Sequence, residues 1–279
     1  MQLKTIKKTI AEKLNSWLET ITDESLRAAI KDNLLVSGGS ITSMLLNEPV
    51  NDFDIYIKTT DVLVRLCEYY ATPKGIQILK GWEKVKLMEG YNSGILEKSP
   101  EYKNMFIVAV DNLKDNQVKL FTTGELFNQE ATPEENEKFI LKYISPNAIS
   151  LSNQIQIVVR FTGDSKQIHE TFDFLHATNY FTFSEGLVTN KEALESIITK
   201  QLRYQGSQYP LTSIIRMKKF IKRGWNINAG EILKIMFQIS ELDLKNANTL
   251  EEQLIGVDVA YFGKLIEILR GLDDKTKMT

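Results

Sequence analysis

Residues 34–57 read LLVSGGSITSMLLNEPVNDFDIYI, and this stretch decides the fold. Leu34 to Val36 is a short buried strand. It ends in Ser37-Gly38-Gly39-Ser40, and Ile41 to Leu46 reads as a helix. The turn around Glu48-Pro49 leads into Asp52-Phe53-Asp54-Ile55-Tyr56-Ile57, which alternates with the period of a strand. Asp52, Asp54 and Tyr56 therefore share one side, while Phe53, Ile55 and Ile57 face a core. Two glycines ahead of a helix let the backbone approach a phosphate, and the helix start offers free amides. Two adjacent carboxylates repel, and a cation favours ionisation of both. Hard divalent ions such as Mg²⁺ take oxygen ligands and keep positions open for phosphate. Strand, Gly-Gly-Ser, helix, then a strand bearing Asp-x-Asp suits metal-assisted phosphoryl or nucleotidyl transfer. Either half alone is common in proteins as a turn or a solvated edge. Their order on the right elements makes the signal.

Working outward, Leu3, Ile6, Ile10, Leu14, Trp17, Leu18 and Ile21 recur at intervals of three and four, an amphipathic helix with a basic outer face. Asp23 is placed to cap a second helix through Lys31. Asp61 to Tyr70 reads as a helix, as does Gly75 to Lys86. Strands are expected at Met105 to Val110, Val118 to Phe121, Ile155 to Phe161 and Thr171 to Leu175. Thr132-Pro133-Glu134-Glu135 resembles a helix start. From Lys191 the character turns helical, with helices near 191–203, 212–223, 229–240 and 257–270. The chain thus divides into 1–190, an α/β front half, and 191–279, an all-α back half.

The 279 residues are 43% hydrophobic and 25% charged, which is ordinary globular composition. Net charge is −2, from 34 basic and 36 acidic residues, so no broad basic footprint announces a nucleic acid. Cys67 is the only cysteine, which rules out an internal disulfide and a Cys-based zinc site and suits a reducing cytosol. Lys4, Lys7 and Lys8 precede no apolar run, so no signal peptide is expected. Apolar stretches are of strand length, short of a membrane span.

The 34–57 stretch resembles the nucleotidyltransferase signature of the DNA polymerase β superfamily, and within it the branch of CCA-adding enzymes and bacterial poly(A) polymerases. Gly38-Gly39, Leu45-Leu46 and Asp52-Phe53-Asp54-Ile55 are similar to that branch's motif. Two further segments are similar. Phe172-Asp173-Phe174 resembles the family's sugar-contacting segment. Ile214-Ile215-Arg216, Lys219-Phe220, Arg223-Gly224-Trp225 and Ile227 resemble its neck helix. On a helix, Arg216, Lys219 and Arg223 fall on one face, with Ile214, Met217 and Ile221 opposite on an expected core face.

The resemblance implies an α+β fold, a mixed-sheet nucleotidyltransferase palm followed by a helical neck and body. It implies that Asp52 and Asp54 bind catalytic Mg²⁺ or Mn²⁺. Gly38, Gly39 and Ser40 would hold the triphosphate of an NTP substrate, while Arg216, Lys219 and Arg223 grip nucleotide or acceptor. Asp173 is either a sugar contact or the third metal-binding carboxylate. The acceptor implied is an RNA 3′ end, with no membrane partner, in the cytoplasm or, for a viral chain, the host cytoplasm. His176, three residues beyond Asp173, is a candidate proton donor or phosphate contact, or else a structural residue.

The chain departs from the family at Ile41-Thr42-Ser43, where Val-Arg-Asp is usual, and at Phe172, where Arg is usual. These departures leave two other readings open. One is nucleotidylation of a small molecule or protein, as in antibiotic-modifying or toxin members. The other is a non-catalytic RNA-binding or structural descendant.

Overall fold

The computed structural model describes residues 2–75, 77–80, 105–111, 117–122, 127–130, 132, 134–135, 138–144, 147–246, 249–250 and 253. The chain divides into two units, Met1–Glu170 with Ala177–Asn190, and Thr171–His176 with Lys191–Thr279.

The helices of the first unit are α1 (Leu3–Glu19), α2 (Glu24–Asn33), α3 (Gly39–Leu45), α4 (Thr60–Ala71) and α5 (Ser165–His169). Its strands run in chain order β1 (Leu34–Ser37), β2 (Phe53–Ile57), β3 (Gln77–Lys80), β4 (Met105–Asp111), β5 (Gln117–Thr122) and β6 (Phe127–Asn128). They continue with β7 (Leu141–Ile144), β8 (Ala148–Leu151), β9 (Ile155–Thr162), β10 (Tyr180–Thr182) and β11 (Gly186–Val188). The sheet is mixed, in the order β11-β10-β1-β2-β9-β5-β4-β3, with β8 also on β9 and leading to β7 and β6. β2 and β9 run parallel, while β1 and β2 run antiparallel with Ser37 opposite Asp54. With helices packed beside such a sheet, the fold class is α+β.

The three-and-four spacing of α1 buries Ile6, Ile10, Leu14, Trp17 and Leu18. Trp17 Nε1 donates to the Tyr70 hydroxyl at 2.9 Å, which gives the buried indole its partner. Asp23 caps α2 by accepting the Leu26 N–H. Phe53, Ile55 and Ile57 join α1, α2 and α4 in one core, on the face that their alternation predicts. Each such side chain contributes about 1.5–3 kcal/mol on burial, so β2 is firmly held beneath the aspartates.

Several expectations are corrected. Residues 77–80 of the expected 75–86 helix form β3, parallel to β4. The apolar pair Ile78-Leu79 reads equally as helix or strand, and sheet pairing decides. Residues 81–86 lie outside the described residues. Thr132 and Glu135 do exchange hydrogen bonds, as at a helix start, but the described residues beyond them turn into β7. The strand expected at Thr171–Leu175 is a single bridge, Phe174 to Tyr204, in the second unit.

The second unit contains α6 (Lys191–Thr199), β12 (Gln201–Leu202), α7 (Pro210–Lys222), β13 (Asn226–Ile227) and α8 (Ala229–Ser240). β12 and β13 pair in parallel, so the back half is not purely helical. Lys200 takes φ +49°, which ends α6 short of the expected 203. The expected core face of α7 is also corrected, since Ile214 is 38% and Ile221 47% exposed. Its packed arc is instead the one with Leu211 and Ile215, which pack against Leu250 together with Leu244. Thr212 and Ser213 are buried there, with the Thr212 hydroxyl donating to the Gln253 carbonyl. The expected 257–270 helix lies outside the described residues.

Candidate functional site

In the first unit, β1 ends at Ser37 and Gly38 then takes φ +95°, ψ −150°. That conformation is open essentially to glycine alone. A Cβ at Gly38 would stand 3.1 Å from Asp54 Oδ2, because the β1–β2 register sets Ser37 across from Asp54. The Gly38 N–H donates to the Ala177 carbonyl at 3.1 Å. The backbone turn and the carboxylate are thus brought into direct apposition. Gly39 opens α3 and is exposed, and a Cβ there would meet none of the described residues within 4 Å. Ser40 is 2% exposed and its Oγ has no hydrogen-bond partner among the described residues. Leaving a buried hydroxyl unpaired costs about 1–3 kcal/mol, a debt that a ligand oxygen would relieve.

Asp52 stands just before β2 and is framed by Gln154. The Gln154 carbonyl accepts the Phe53 N–H at 2.7 Å, and its side-chain Nε2 donates to the Val50 carbonyl at 2.7 Å. Asn153 and Gln154, at φ +57° and +62°, make the turn between β8 and β9. Lys13 of α1 donates to the Asn153 carbonyl at 3.1 Å and lies 5.7 Å from the Phe53 ring centroid. Partial burial lowers the Lys13 pKa. Asp52 is exposed by area, yet loss of water around its carboxyl raises its pKa, with Lys142 on β7 pulling it down. Sequence reasoning missed Lys13, Lys142 and Gln154 as site residues. Asn153 between two strand-like runs signals a turn, but nothing local says that the turn meets the chain at Val50 and Phe53, on either side of Asp52.

Two aspartates at alternate positions, one against Gly38, are hard oxygen donors and fit a divalent cation such as Mg²⁺ or Mn²⁺. Among the described residues, no group of three or more His, Cys, Asp or Glu side chains gathers around a metal position.

Asp173 belongs to the second unit, where Arg216 Nη1 donates to its Oδ2 at 2.9 Å. The carboxylate is 10% exposed and the guanidinium side chain 47%. The segment is held by its backbone: the Gln205 N–H donates to the Asp173 carbonyl and the Leu175 N–H to the Arg203 carbonyl. Burial pushes the neighbouring Tyr204 hydroxyl up to about 12, and the Asp173 charge adds to this against a hydrogen bond with Ser213. Lys219 and Arg223 are exposed, with the Arg223 guanidinium 5.6 Å from the Phe220 ring centroid. His176 is buried among Phe174, Phe220 and Trp225. Burial, helped by the Arg223 charge, pushes its pKa down to about 3. It is therefore neutral at ordinary pH, packed in an aromatic cluster.

The sequence model of the Gabija anti-defense 2 family matches residues 8–200. A curated protein of Bacillus phage SPbetaL7, Gabija anti-defense 2, is 20% identical over 255 residues, 91% of this chain and 49% of its own length. This chain therefore spans about half the length of that relative. Among solved structures, the Thermotoga maritima CCA-adding enzyme complexed with tRNA matches 87% of this chain and 50% of its own, at 13% identity and TM-score 0.40. The Bacillus stearothermophilus CCA-adding enzyme in complex with CTP matches 87% of this chain and 48% of its own, at 11% identity and TM-score 0.39.

Proposed function

This chain belongs to the Gabija anti-defense 2 family, and from that premise we propose that it is a metal-dependent nucleotidyltransferase whose activity counters the Gabija defence. The observation that carries the reading is the apposition of the Gly38 turn and the Asp54 carboxylate, with Gly39 open and Ser40 Oγ unpaired beside it among the described residues. Asp52 and Asp54 hold the divalent cation. Bound there, Mg²⁺ or Mn²⁺ supplies Lewis acidity at the phosphate and a lower pKa for the attacking hydroxyl. The backbone at Gly38 and Gly39 and the Ser40 hydroxyl receive the triphosphate of an NTP. An acceptor hydroxyl attacks the α-phosphate, an NMP is transferred and pyrophosphate leaves. Positioning and charge neutralisation carry such a reaction.

Asp173 serves as a nucleotide contact rather than a metal ligand. Its ion pair with Arg216 supports this, since it already neutralises the carboxylate and orients the guanidinium. Lys219 on the same helix and Arg223 just past its C-terminal end, both exposed, contact nucleotide or acceptor phosphate. The two functional halves are 1–190 and 191–279, with Thr171–His176 grouped in the second unit. The acceptor is an RNA 3′ end, by the resemblance of the Gly-Gly and Asp-x-Asp motifs to the poly(A) polymerase and CCA-adding branch. A second reading, transfer to a protein or small molecule, is favoured by the family membership, because an anti-defence protein needs a target within the defence. No helix among the described residues is long and apolar enough to cross a membrane, which is compatible with action in the host cytoplasm.

The test is incubation with labelled NTPs and Mg²⁺ or Mn²⁺, with tRNA, oligo-RNA, or the Gabija proteins. Label in RNA supports the first acceptor, and label in protein or a small product supports the second. No transfer by the wild type under any of these conditions refutes the enzymatic reading.

A further inference from the structure

We propose that Ser37 and His169 are positioning residues for the Gly38 turn, one imidazole N–H and one hydroxyl together pinning the end of β1 to the segment Ala177–Asn179. The functional weight of this pin rests on the reading of Gly38–Ser40 as the phosphate-binding turn. Its geometry does not.

Ser37 is fully buried, and among the described residues its Oγ has three hydrogen-bond neighbours. They are His169 Nε2 at 2.9 Å, the Ala177 carbonyl at 3.1 Å and the Asn179 carbonyl at 2.9 Å. Carbonyls only accept, and a hydroxyl carries a single proton. That proton goes to the carbonyl side, so the imidazole must donate to Oγ. His169 is therefore the Nε2–H tautomer. Burial pushes its pKa down to about 4, which keeps the ring neutral, and the ring meets Tyr180 edge-on at 5.6 Å. His169 ends α5, whose start is locked by reciprocal hydrogen bonds between Asp164 and Gln167. The imidazole is thus fixed by its own helix rather than by Ser37 alone.

The same Ala177 carbonyl also accepts the Gly38 N–H. Ser37 and Gly38 are thus tied together to one return segment, and Gly38 is the residue set against Asp54. The chain leaves the first unit after Glu170 and re-enters it at Ala177. One hydroxyl therefore holds the residue just before that departure and the residues just after the return. The intervening excursion carries Asp173. A shift at this pin moves the turn and both ends of the Asp173 segment within the first unit.

The experiment uses the full chain with ¹⁵N-labelled histidine, and the variants Ser37→Ala, His169→Phe and His169→Gln. The wild type is expected to show a neutral His169 protonated on Nε2, with that proton slow to exchange. Ser37→Ala and His169→Phe are expected to speed amide exchange at Gly38 about tenfold, the scale of one lost buried hydrogen bond, and to leave Leu35 and Val36 unchanged. His169→Gln keeps an N–H donor and is expected to restore slow exchange, which mere space-filling would not do. Dissociation constants for ATP with Mg²⁺ are expected to weaken about five- to tenfold in the first two variants and recover in the third.

The proposal is overturned if His169 is protonated on Nδ1 alone, if Gly38 exchange is unchanged in both variants, or if His169→Gln behaves like His169→Phe. Should Ser37→Ala not fold, the two His169 variants and the wild-type tautomer decide it. If the wild type binds no ATP while tautomer and exchange behave as stated, the pin stands and the nucleotidyltransferase reading falls. If ATP binds but Gly38 exchange does not respond, the pin alone falls.

Discussion

Gly38→Ala and Gly39→Ala, one residue apart, are expected to fail in different ways. At Gly38 the backbone sits at φ +95°, ψ −150°, where a side chain costs about 1–3 kcal/mol. The new methyl would also lie 3.1 Å from Asp54 Oδ2, so the carboxylate must give by a few tenths of an ångström. At about 2–4 °C per kcal/mol for a unit of this size, the melting temperature falls by roughly 2–12 °C. Gly39 is the first residue of α3 and a methyl there meets none of the described residues within 4 Å. Alanine is the better helix former by up to about 1 kcal/mol, so stability is unchanged or slightly raised. On the proposed function, the open space at Gly39 is, however, where a triphosphate approaches the backbone. Gly39→Ala should therefore lower NTP affinity and transfer while the protein stays folded. The assay pairs thermal unfolding with Mg²⁺-dependent transfer from labelled NTP. A Gly38→Ala protein as stable as wild type refutes the backbone argument. A Gly39→Ala protein with full NTP affinity refutes the placement of the phosphate.

Other outcomes follow from the same coordinates. Asp52→Asn and Asp54→Asn should each cut transfer at least ~100-fold, more than outer-shell changes at metal sites typically do, and a smaller loss in both would remove them as metal ligands. Lys142→Met removes a charge that lowers the Asp52 pKa, so the acidic limb of a pH–activity profile should move to higher pH; a limb that stays put separates Asp52 from that ionisation. Arg216→Ala leaves the 10%-exposed Asp173 carboxylate without its cation and should cost about 1–2 kcal/mol, discounted for the half-exposed guanidinium. Urea unfolding of the single and double variants with Asp173→Asn measures the coupling, and additive effects would refute it. His169 and His176 have folded pKa values near 4 and 3, below the unfolded 6.5. The unfolded chain then binds more protons below pH 6.5, so stability falls as pH drops from 6.5 through 4 towards 3. His176→Gln should flatten that slope, and an unchanged slope would mean His176 titrates normally.

The 34–57 stretch was legible because its information is local. The alternation of Phe53, Ile55 and Ile57 records which side of a strand is buried, and these residues are in the core. The caps of α2 and the stripe of α1 were legible for the same reason. Short apolar runs were not, and Ile78-Leu79 falls in a strand where a helix was read, because pairing with β4 settled what periodicity left ambiguous. On α7 the apolar residues spread over a wide arc, and the position of Leu250 selects Leu211 and Ile215 over Ile214 and Ile221 as the covered side.

By itself the sequence determined an α+β chain, a Gly-Gly turn ahead of a helix, and two carboxylates one strand later. It did not determine that Asp54 meets Gly38. That contact comes from antiparallel register between β1 and β2. Nor did it reveal Gln154 around Asp52, His169 beneath Ser37, or Arg216 on Asp173, partners separated by 102, 132 and 43 positions when each is counted along the chain. Periodicity and capping are written in neighbouring residues because backbone geometry repeats over a few positions. Which distant side chain completes a site depends on how strands pair and helices pack, and that is decided only when the whole unit folds.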